Sequence, residues 1–216
     1  LVDIRDGLAT ITLNRPERRN AVTVEMCTAV YDAARQVAAS DARVTILRGA
    51  GTDFSVGADI AGGGSTENAR SGPLGLQELG MLHHASAVLH QAPQVSIAAI
   101  DGGCAGAAIG WAAACDFRFA TPEARLSTAI LNVGVPGDMG MAWSLNRILG
   151  GARARELMFF PEKLTGAQAL EIGLVTRLFP RETFHDEVLA LAGQLLAREP
   201  FALRMMKANI VSAEEL

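Results

Sequence analysis

The stretch 96–116 offers the clearest chemistry in the chain. A continuous apolar run, Val95–Ile100, is followed by Asp101-Gly102-Gly103 and then by residues 105–114, which are almost all Ala, Gly or Ile. The apolar run predicts a strand buried on both faces, and the small residues predict a tightly packed helix. A helix that begins directly after a glycine turn presents free backbone N–H groups and the positive end of its dipole. The stretch therefore predicts a site for an anion or a developing oxyanion.

Two other interpretations of this stretch stay open at this point. The spacing of Gly103, Gly106 and Gly110 after a strand resembles a phosphate-binding turn of the dinucleotide-binding kind, but such a glycine pattern alone is weak. No strand ending in an acidic residue follows about 20 residues later, as a bound ribose would require. The remaining alternative is close packing of helix on strand with no ligand.

Other potentially reactive side chains give weaker signals. Cys104 adjoins the glycine turn but has no histidine in a partnering motif, so a buried thiol is the favoured interpretation. His83, His84 and His90 share one predicted helix, at a spacing that resembles no metal site. No metal site is predicted. The polar turn 14–20 carries three arginines, which suit either a solvated loop or contact with the phosphates of a ligand.

Composition narrows the class of protein. The 216 residues are half hydrophobic, which fits one globular domain with a sizeable core. A net charge of −4 without a long basic run argues against a nucleic-acid partner, and the apolar runs are too short to span a membrane. Three scattered cysteines favour a reduced compartment, so we expect a cytoplasmic protein.

The elements that position these residues alternate between strand and helix. A hairpin is predicted around Asp6-Gly7, a helix from Thr23 to about Ser40, and a strand at 44–47. Further elements follow: a helix at 73–91, short strands at 117–120 and 125–127, a helix from about 139 to 149, a helix at 166–172 capped by Thr165, a strand at 174–178, and helices at 184–198 and from 201 onward. The order strand, helix, strand predicts an α/β fold with a parallel sheet.

Several of these segments together resemble the enoyl-CoA hydratase/isomerase (crotonase) family. The matching segments cover nearly the whole chain in order: Leu13-Asn14-Arg15-Pro16 with Asn20-Ala21, Phe54 to Ile60, Ile97 to Gly102 continuing to Cys115-Asp116, Leu164-Thr165 through Val175, and Pro200 with Ala202 and Lys207. The resemblance implies a single domain over 1–216, helical from about residue 180. Its fold would be a spiral of ββα units forming two roughly perpendicular sheets surrounded by helices. Family chains continue a little further, so a last helix is expected to be absent here.

The resemblance also implies a chemistry for the glycine turn. Family members bind an acyl-CoA thioester and stabilise its enolate with two backbone N–H groups, which match Ala58 and Ala107 here. The thioester is substrate, and no cofactor is implied. Assembly as a homotrimer or a dimer of trimers is implied as well. The implied substrate-binding residues are Arg15, Arg18, Arg19, Ala58, Asp59, Ile60, Gly106, Gly110, Ile130 and Lys207. The arginines are the stronger candidates for the CoA phosphates and Lys207 the weaker one, whereas Asp59 and Asp116 also match as structural groups.

This sequence departs from the hydratases of the family at two positions. Hydratases hold a water molecule between two glutamates, which match Gly110 and a position near Ile130, so neither carboxylate is present. The segment Gly134 to Gly140 resembles instead a branch with ring-epoxide and enoyl-CoA isomerases, in which an aspartate matching Asp138 is the acid/base. Asp138 is also a candidate N-cap, and both roles can hold at once.

The favoured function is therefore enoyl-CoA double-bond isomerisation, with Asp138, Ala58 and Ala107 as catalytic residues. Three alternatives remain: an enoyl-CoA hydratase, a non-catalytic acyl-CoA binder, and a serine peptidase, since some peptidases share the fold. The peptidase alternative is disfavoured because no serine with a histidine or lysine partner lies at the helix start.

Overall fold

A six-stranded sheet forms the centre of the chain. The computed structural model describes residues 1–59, 84–128, 130–133 and 139–214. The strands of this sheet are β1 (Val2–Arg5), β2 (Leu8–Leu13), β3 (Val44–Gly49), β4 (Val95–Ile100), β6 (Phe117–Ala120) and β9 (Arg177–Leu178), hydrogen-bonded in that order. The β1–β2 hairpin is antiparallel and every other pair is parallel. The predicted hairpin and the predicted parallel sheet are confirmed.

A second, three-stranded sheet lies directly after β4. Its strands are β5 (Gly103–Ala105), β7 (Arg125–Ser127) and β8 (Lys163–Thr165), in the order β5-β7-β8. Strand β5 is parallel to β7, and β7 is antiparallel to β8. The sequence predicted a glycine turn leading straight into a helix at 105, but the chain first crosses to this second sheet. Three residues are too few for any periodicity to reveal the strand.

Helices cover the sheets. They are α1 (Val24–Ala38), α2 (84–91), α3 (Ala107–Ala114), α4 (Met141–Phe159), α5 (Gly166–Glu171), α6 (Phe184–Leu196) and α7 (Pro200–Glu214). Thr23 caps α1 as predicted, since its side chain accepts a hydrogen bond from the N–H of Met26 at 3.2 Å. Thr165 and Gln168 form a reciprocal capping box on α5.

Helix α4 differs most from its prediction. It begins at Met141, with Gly140 as N-cap, and continues through a non-helical Gly150 to Phe159. The predicted stop at 149 reflects the two glycines that follow, yet the chain bends there and the helix resumes. The N-cap of α4 is therefore Gly140, two positions after Asp138, which lies outside the described residues.

Strand β4 is buried along its whole length, as predicted. Ala98 and Ile100 belong to the main core, which includes most buried residues of α1 and α3, whereas Ile97 and Ala99 pack with the buried face of α6. Because both faces of the sheet are covered, the ends of its central strands are the places where backbone groups become accessible to a ligand.

Candidate active site

Two backbone segments meet where β4 gives way to the second sheet. The N–H of Ser55 donates to the carbonyl of Gly103 at 2.9 Å, and the N–H of Ala105 donates to the carbonyl of Ser55 at 3.0 Å. Gly57 then approaches so closely that a methyl group on it would lie 2.9 Å from the carbonyl oxygen of Ala105 and 3.6 Å from the Cα of Gly106. Only glycine permits this approach of one backbone to the other.

The N–H of Ala58 points away from its neighbouring chain. Val22 donates to the carbonyl of Gly57 at 2.8 Å and accepts from the N–H of Asp59 at 2.9 Å, forming a parallel bridge with Ala58 between them. In such a bridge the middle residue uses neither its N–H nor its carbonyl, so both groups face the other side. The hydrogen bonds of the described residues include none donated by this N–H.

The N–H of Ala107 begins a buried helix. Ala107 is the first residue of α3, and Gly106 before it has φ 53° and ψ −124°, a conformation open to glycine. The first N–H groups of a helix lack acceptors inside that helix. Like that of Ala58, this N–H donates to no acceptor within the described ranges. The two predicted donors thus lie on segments whose backbones are in direct contact.

Apolar groups lie beside these donors. The Cγ2 of Ile130 would be 3.6 Å from a methyl group on Gly106, and the side chain of Ile130 is buried. The second position at which a hydratase would carry a carboxylate thus presents a hydrocarbon side chain next to the turn.

The first such position, Gly110, has no room for a side chain at all. A methyl group on Gly110 would lie 2.5 Å from the carbonyl oxygen of Met139 and 2.6 Å from its Cβ. Met139 is buried and has φ 56°, a left-handed conformation that a non-glycine residue adopts at a cost. This contact between α3 and the residue two before α4 was not foreseen, because nothing in the local sequence of either segment indicates it.

The three arginines of the turn 14–20 bind carboxylates of this chain. Arg15 and Arg18 contact the two oxygens of the buried Asp59 at 3.1 and 3.0 Å. Arg19 binds the buried Asp53 through two hydrogen bonds, of 2.9 and 3.0 Å. The hydrogen bonds from Arg19, and the N–H of Gly103, lower the pKa of Asp53, while burial opposes the shift. Contact of these arginines with CoA phosphates stays a prediction.

Lys207 also has a carboxylate partner within the chain. Its side chain is buried, and its Nζ lies 2.5 Å from Oδ1 of Asp116. The other oxygen of Asp116 accepts from the backbone and the hydroxyl of Ser96, which gives Asp116 the structural role predicted for it. Lys207 lies on α7 and reaches Asp116, two residues after the end of α3, and its contact with CoA likewise stays a prediction.

Among the described residues, the cysteines and histidines add no second site. Cys104 is fully buried, as predicted, and burial raises its pKa; burial also raises the pKa of Cys115 to about 12. His90 lies 2.8 Å from Glu214, and burial lowers its pKa. The described part of the chain contains no group of three or more His, Cys, Asp or Glu placed to hold a metal. Within that same part, no helix is long and apolar enough to cross a membrane.

Three residues that the sequence analysis singled out are outside the described part of the chain. Ile60, Asp138 and His83 lie outside the described residues, so the acid/base role of Asp138 stays a prediction. Asp53 and Met139 are the residues of the site that sequence reasoning missed. For Asp53, the available signal was its position: it is an acidic residue that directly precedes the matching segment Phe54 to Ile60.

The chain is similar to known proteins over almost its full length. A family model described as enoyl-CoA hydratase/isomerase matches residues 3–215. The Mycobacterium tuberculosis protein named probable enoyl-CoA hydratase EchA12 is 33% identical over 88% of this chain and 69% of its own length. The 1,2-epoxyphenylacetyl-CoA isomerase of Escherichia coli is 32% identical over 99% of this chain and 82% of its own.

Solved structures agree with this similarity. An enoyl-CoA hydratase from Polaromonas sp. superposes with a TM-score of 0.89 at 31% identity, covering 100% of this chain and 84% of that one. A Thermobifida fusca protein in complex with acetoacetyl-CoA has the same TM-score of 0.89 at 28% identity, covering 98% and 86%.

Proposed function

This chain belongs to the enoyl-CoA hydratase/isomerase family, and from that premise we propose that it converts 3-enoyl-CoA into 2-enoyl-CoA. The N–H groups of Ala58 and Ala107 hold the thioester oxygen while a proton leaves the α-carbon. Negative charge then develops on that oxygen, and donors already in place stabilise it without reorganisation. The same proton, returned at the γ-carbon, moves the double bond and leaves the atom count unchanged.

The contact between Gly110 and Met139 carries the choice of isomerisation over hydration. Hydration needs a water molecule poised by carboxylates. A glutamate at position 110 is excluded because even a methyl group would overlap the backbone of Met139, and Ile130 supplies only hydrocarbon at the second position. A proton shift along the substrate needs one acid/base group and no water.

Asp138 is the group we assign to this proton transfer. The N-cap of α4 is Gly140, and the acid/base role is the one that the resemblance gives to Asp138. The assignment rests on the resemblance to the isomerase branch and on the covalent neighbour of Asp138, Met139, which packs on Gly110. One carboxylate that accepts the α-proton and returns it at the γ-carbon suffices.

The substrate is proposed to be an acyl-CoA thioester, with no further cofactor. Support comes from the Thermobifida fusca neighbour, which is in complex with acetoacetyl-CoA, and from the Escherichia coli relative, which is named for an acyl-CoA substrate. Assembly as a homotrimer or a dimer of trimers belongs to the same proposal. Large exposed apolar side chains near the end of α4 and along α7 support it: Phe159, Phe160, Phe201, Met206 and Ile210.

Two alternatives are retained because specific observations favour them. Relatives are named both hydratase and isomerase, so hydration of the 2-enoyl thioester is the second candidate reaction. The absence of carboxylates at Gly110 and Ile130 also suits a non-catalytic acyl-CoA binder.

The deciding experiment measures turnover of a 3-enoyl-CoA and of crotonyl-CoA by the wild type and by Asp138→Asn. We expect the wild type to isomerise the 3-enoyl-CoA and the variant to be slower by about 100-fold or more, since general acid–base catalysis contributes about 10²–10⁴-fold. Asp41→Asn makes the same chemical change at an exposed carboxylate and is the matched control.

The other outcomes separate the alternatives. Hydration of crotonyl-CoA that is unaffected by Asp138→Asn would remove the role of Asp138 and favour a hydratase with another base. Binding of both thioesters without turnover in the wild type would favour the binder.

A further inference from the structure

One carboxylate links the two segments that carry the candidate donors. Asp53 lies five positions before Ala58, and its Oδ1 accepts a hydrogen bond from the N–H of Gly103 at 2.6 Å. Gly103 in turn lies four positions before Ala107. Asp53 is 7% exposed, and its contact with Gly103 joins two parts of the chain fifty residues apart.

Arg19 fixes the orientation of this carboxylate. Its Nε and Nη2 bind the two oxygens of Asp53 side by side, at 2.9 and 3.0 Å. Such a paired contact holds a carboxylate in one plane more strictly than a single hydrogen bond does. Oδ1 consequently stays aimed at Gly103, where a methyl group would already be 2.9 Å from it.

The turn that carries Arg19 is itself rigidly attached. Arg19 and Asn20 both have left-handed φ, of 52° and 55°. The fully buried Asn20 holds this conformation by donating to the carbonyls of Ala50 and Asp53, each at 2.8 Å. The carbonyl of Arg19 accepts from Val56, two residues before Ala58. Arg19 therefore contacts the Ala58 segment through its backbone and the Ala107 segment through Asp53.

We propose that Arg19 and Asp53 are positioning residues that set the separation of the Ala58 and Ala107 donors. This inference rests on the proposed function of those two N–H groups. It also changes the expected role of Arg19: the guanidinium is engaged by Asp53 and acts through it on the reacting oxygen, rather than on a phosphate of CoA. A displacement of a catalytic group by about 1 Å can cost about 100-fold in rate.

The test compares Arg19→Gln, Asp53→Asn and the double variant in the full-length protein. Three quantities are measured: kcat with a 3-enoyl-CoA, dissociation constants for free CoA and for acetoacetyl-CoA, and the melting temperature. Arg5→Gln and Asp3→Asn break an exposed ion pair of 2.9 Å and serve as matched controls. Arg19 is largely exposed, so its variant is expected to fold even where Asp53→Asn does not.

We expect kcat to fall by about 10- to 100-fold in each single variant, with the affinity for free CoA changed less than twofold. The double variant should be no slower than the slower single variant, because both remove the same link. Arg19→Lys should recover only part of the rate, since an ammonium group cannot make the paired contact. The exposed-pair controls should match the wild type.

Each of the following results would overturn the proposal. Weaker binding of free CoA in Arg19→Gln, but not in Asp53→Asn, would show that Arg19 contacts the CoA phosphates. A lower melting temperature with unchanged kcat would show that the pair serves stability alone.

Acetoacetyl-CoA keeps the test independent of turnover. Its enolate oxygen needs both donors, so the wild type should bind it at least about 10-fold more tightly than free CoA, and the variants should lose most of this ratio. If the wild type shows no turnover, but the preference for acetoacetyl-CoA over free CoA is lost in the variants, the proposed reaction is refuted and the positioning role is supported. A ratio that stays unchanged in the variants would refute the positioning role whatever the turnover.

Discussion

The two candidate donors are held by different physical means. Around Ala58 the supports are charged and polar: Asp53 with Arg19, Asp59 with Arg15 and Arg18, and the buried Asn20. Around Ala107 the support is steric, because α3 consists of small and apolar residues and Gly110 lies against the backbone of Met139. A backbone N–H can thus be fixed by ion pairs on one side of a site and by close packing on the other.

The difference determines what each side tolerates. Ion pairs accommodate changes of size but depend on protonation and on the retention of both partners. Close packing is insensitive to pH, yet one added methylene group can displace a well-packed segment. The two sides should therefore respond to different perturbations.

The largest effect is expected from removal of the Ala107 donor. Ala107→Pro deletes this N–H at the first position of α3, where proline is well tolerated. Gly106, with φ 53° and ψ −124°, has the mirror image of the extended backbone conformation, and a glycine can adopt this conformation before a proline. Loss of one oxyanion donor costs about 10²–10³-fold, so kcat for a 3-enoyl-CoA should fall by that factor.

Val24→Pro is the matched control for this prediction. It places proline at the first position of α1, after an extended Thr23, and removes an N–H that is not one of the two candidate donors. Activity should then equal that of the wild type. A full rate in Ala107→Pro, with the fold retained, would contradict the assignment of this N–H.

A second effect, on stability, is expected at Gly110. Gly110→Ala brings a methyl group to within 2.6 Å of Met139, so we expect a loss of about 1–3 kcal/mol in the free energy of unfolding. Gly193→Ala on α6 makes the same change where, apart from its chain neighbours and the backbone of its own helix, no described atom lies within 4 Å, and it should stabilise the protein by up to about 1 kcal/mol. Urea unfolding measures both, and equal stabilities for the two variants would contradict the packing argument.

The smallest effect is a pH dependence of the free energy of unfolding, and it is confined to the ion pairs around Ala58. Arg19 lowers the pKa of Asp53 below the value of about 3.9 found in unfolded chains. The ionised form therefore contributes stability that is complete above about pH 4 and is lost as pH falls through the lower, folded pKa. The difference in unfolding free energy between wild type and Asp53→Asn should shrink below pH 4.

The packing of Gly110 on Met139 provides the comparison for this experiment. The difference between wild type and Gly110→Ala should stay constant over the same pH range, because no titrating group takes part in that contact. A wild-type minus Asp53→Asn difference that is independent of pH would show that the charge on Asp53 does not stabilise the fold.

The sequence alone determined most of the elements and named two backbone donors as candidates. Alternation indicated the hairpin, uninterrupted apolar residues indicated β4, and Thr23 and Thr165 marked the starts of α1 and α5. These features are local, since a cap or a periodicity is complete within a few residues. The family resemblance could propose Ala58 and Ala107 for a similar reason: a backbone donor needs only a small residue after a glycine.

The tertiary structure decided which residues those elements bring together. Arg19 finds Asp53 34 positions away, Lys207 finds Asp116 91 positions away, and Met139 packs on Gly110 from a segment that follows the second sheet's strand β7 in the chain. No local pattern encodes such partners, because each arginine, lysine or glycine is equally compatible with solvent, a ligand or another segment. Only the packing of β4, β5 and α3 against their neighbours selects one of these, and that selection places charge on one side of the site and steric contact on the other.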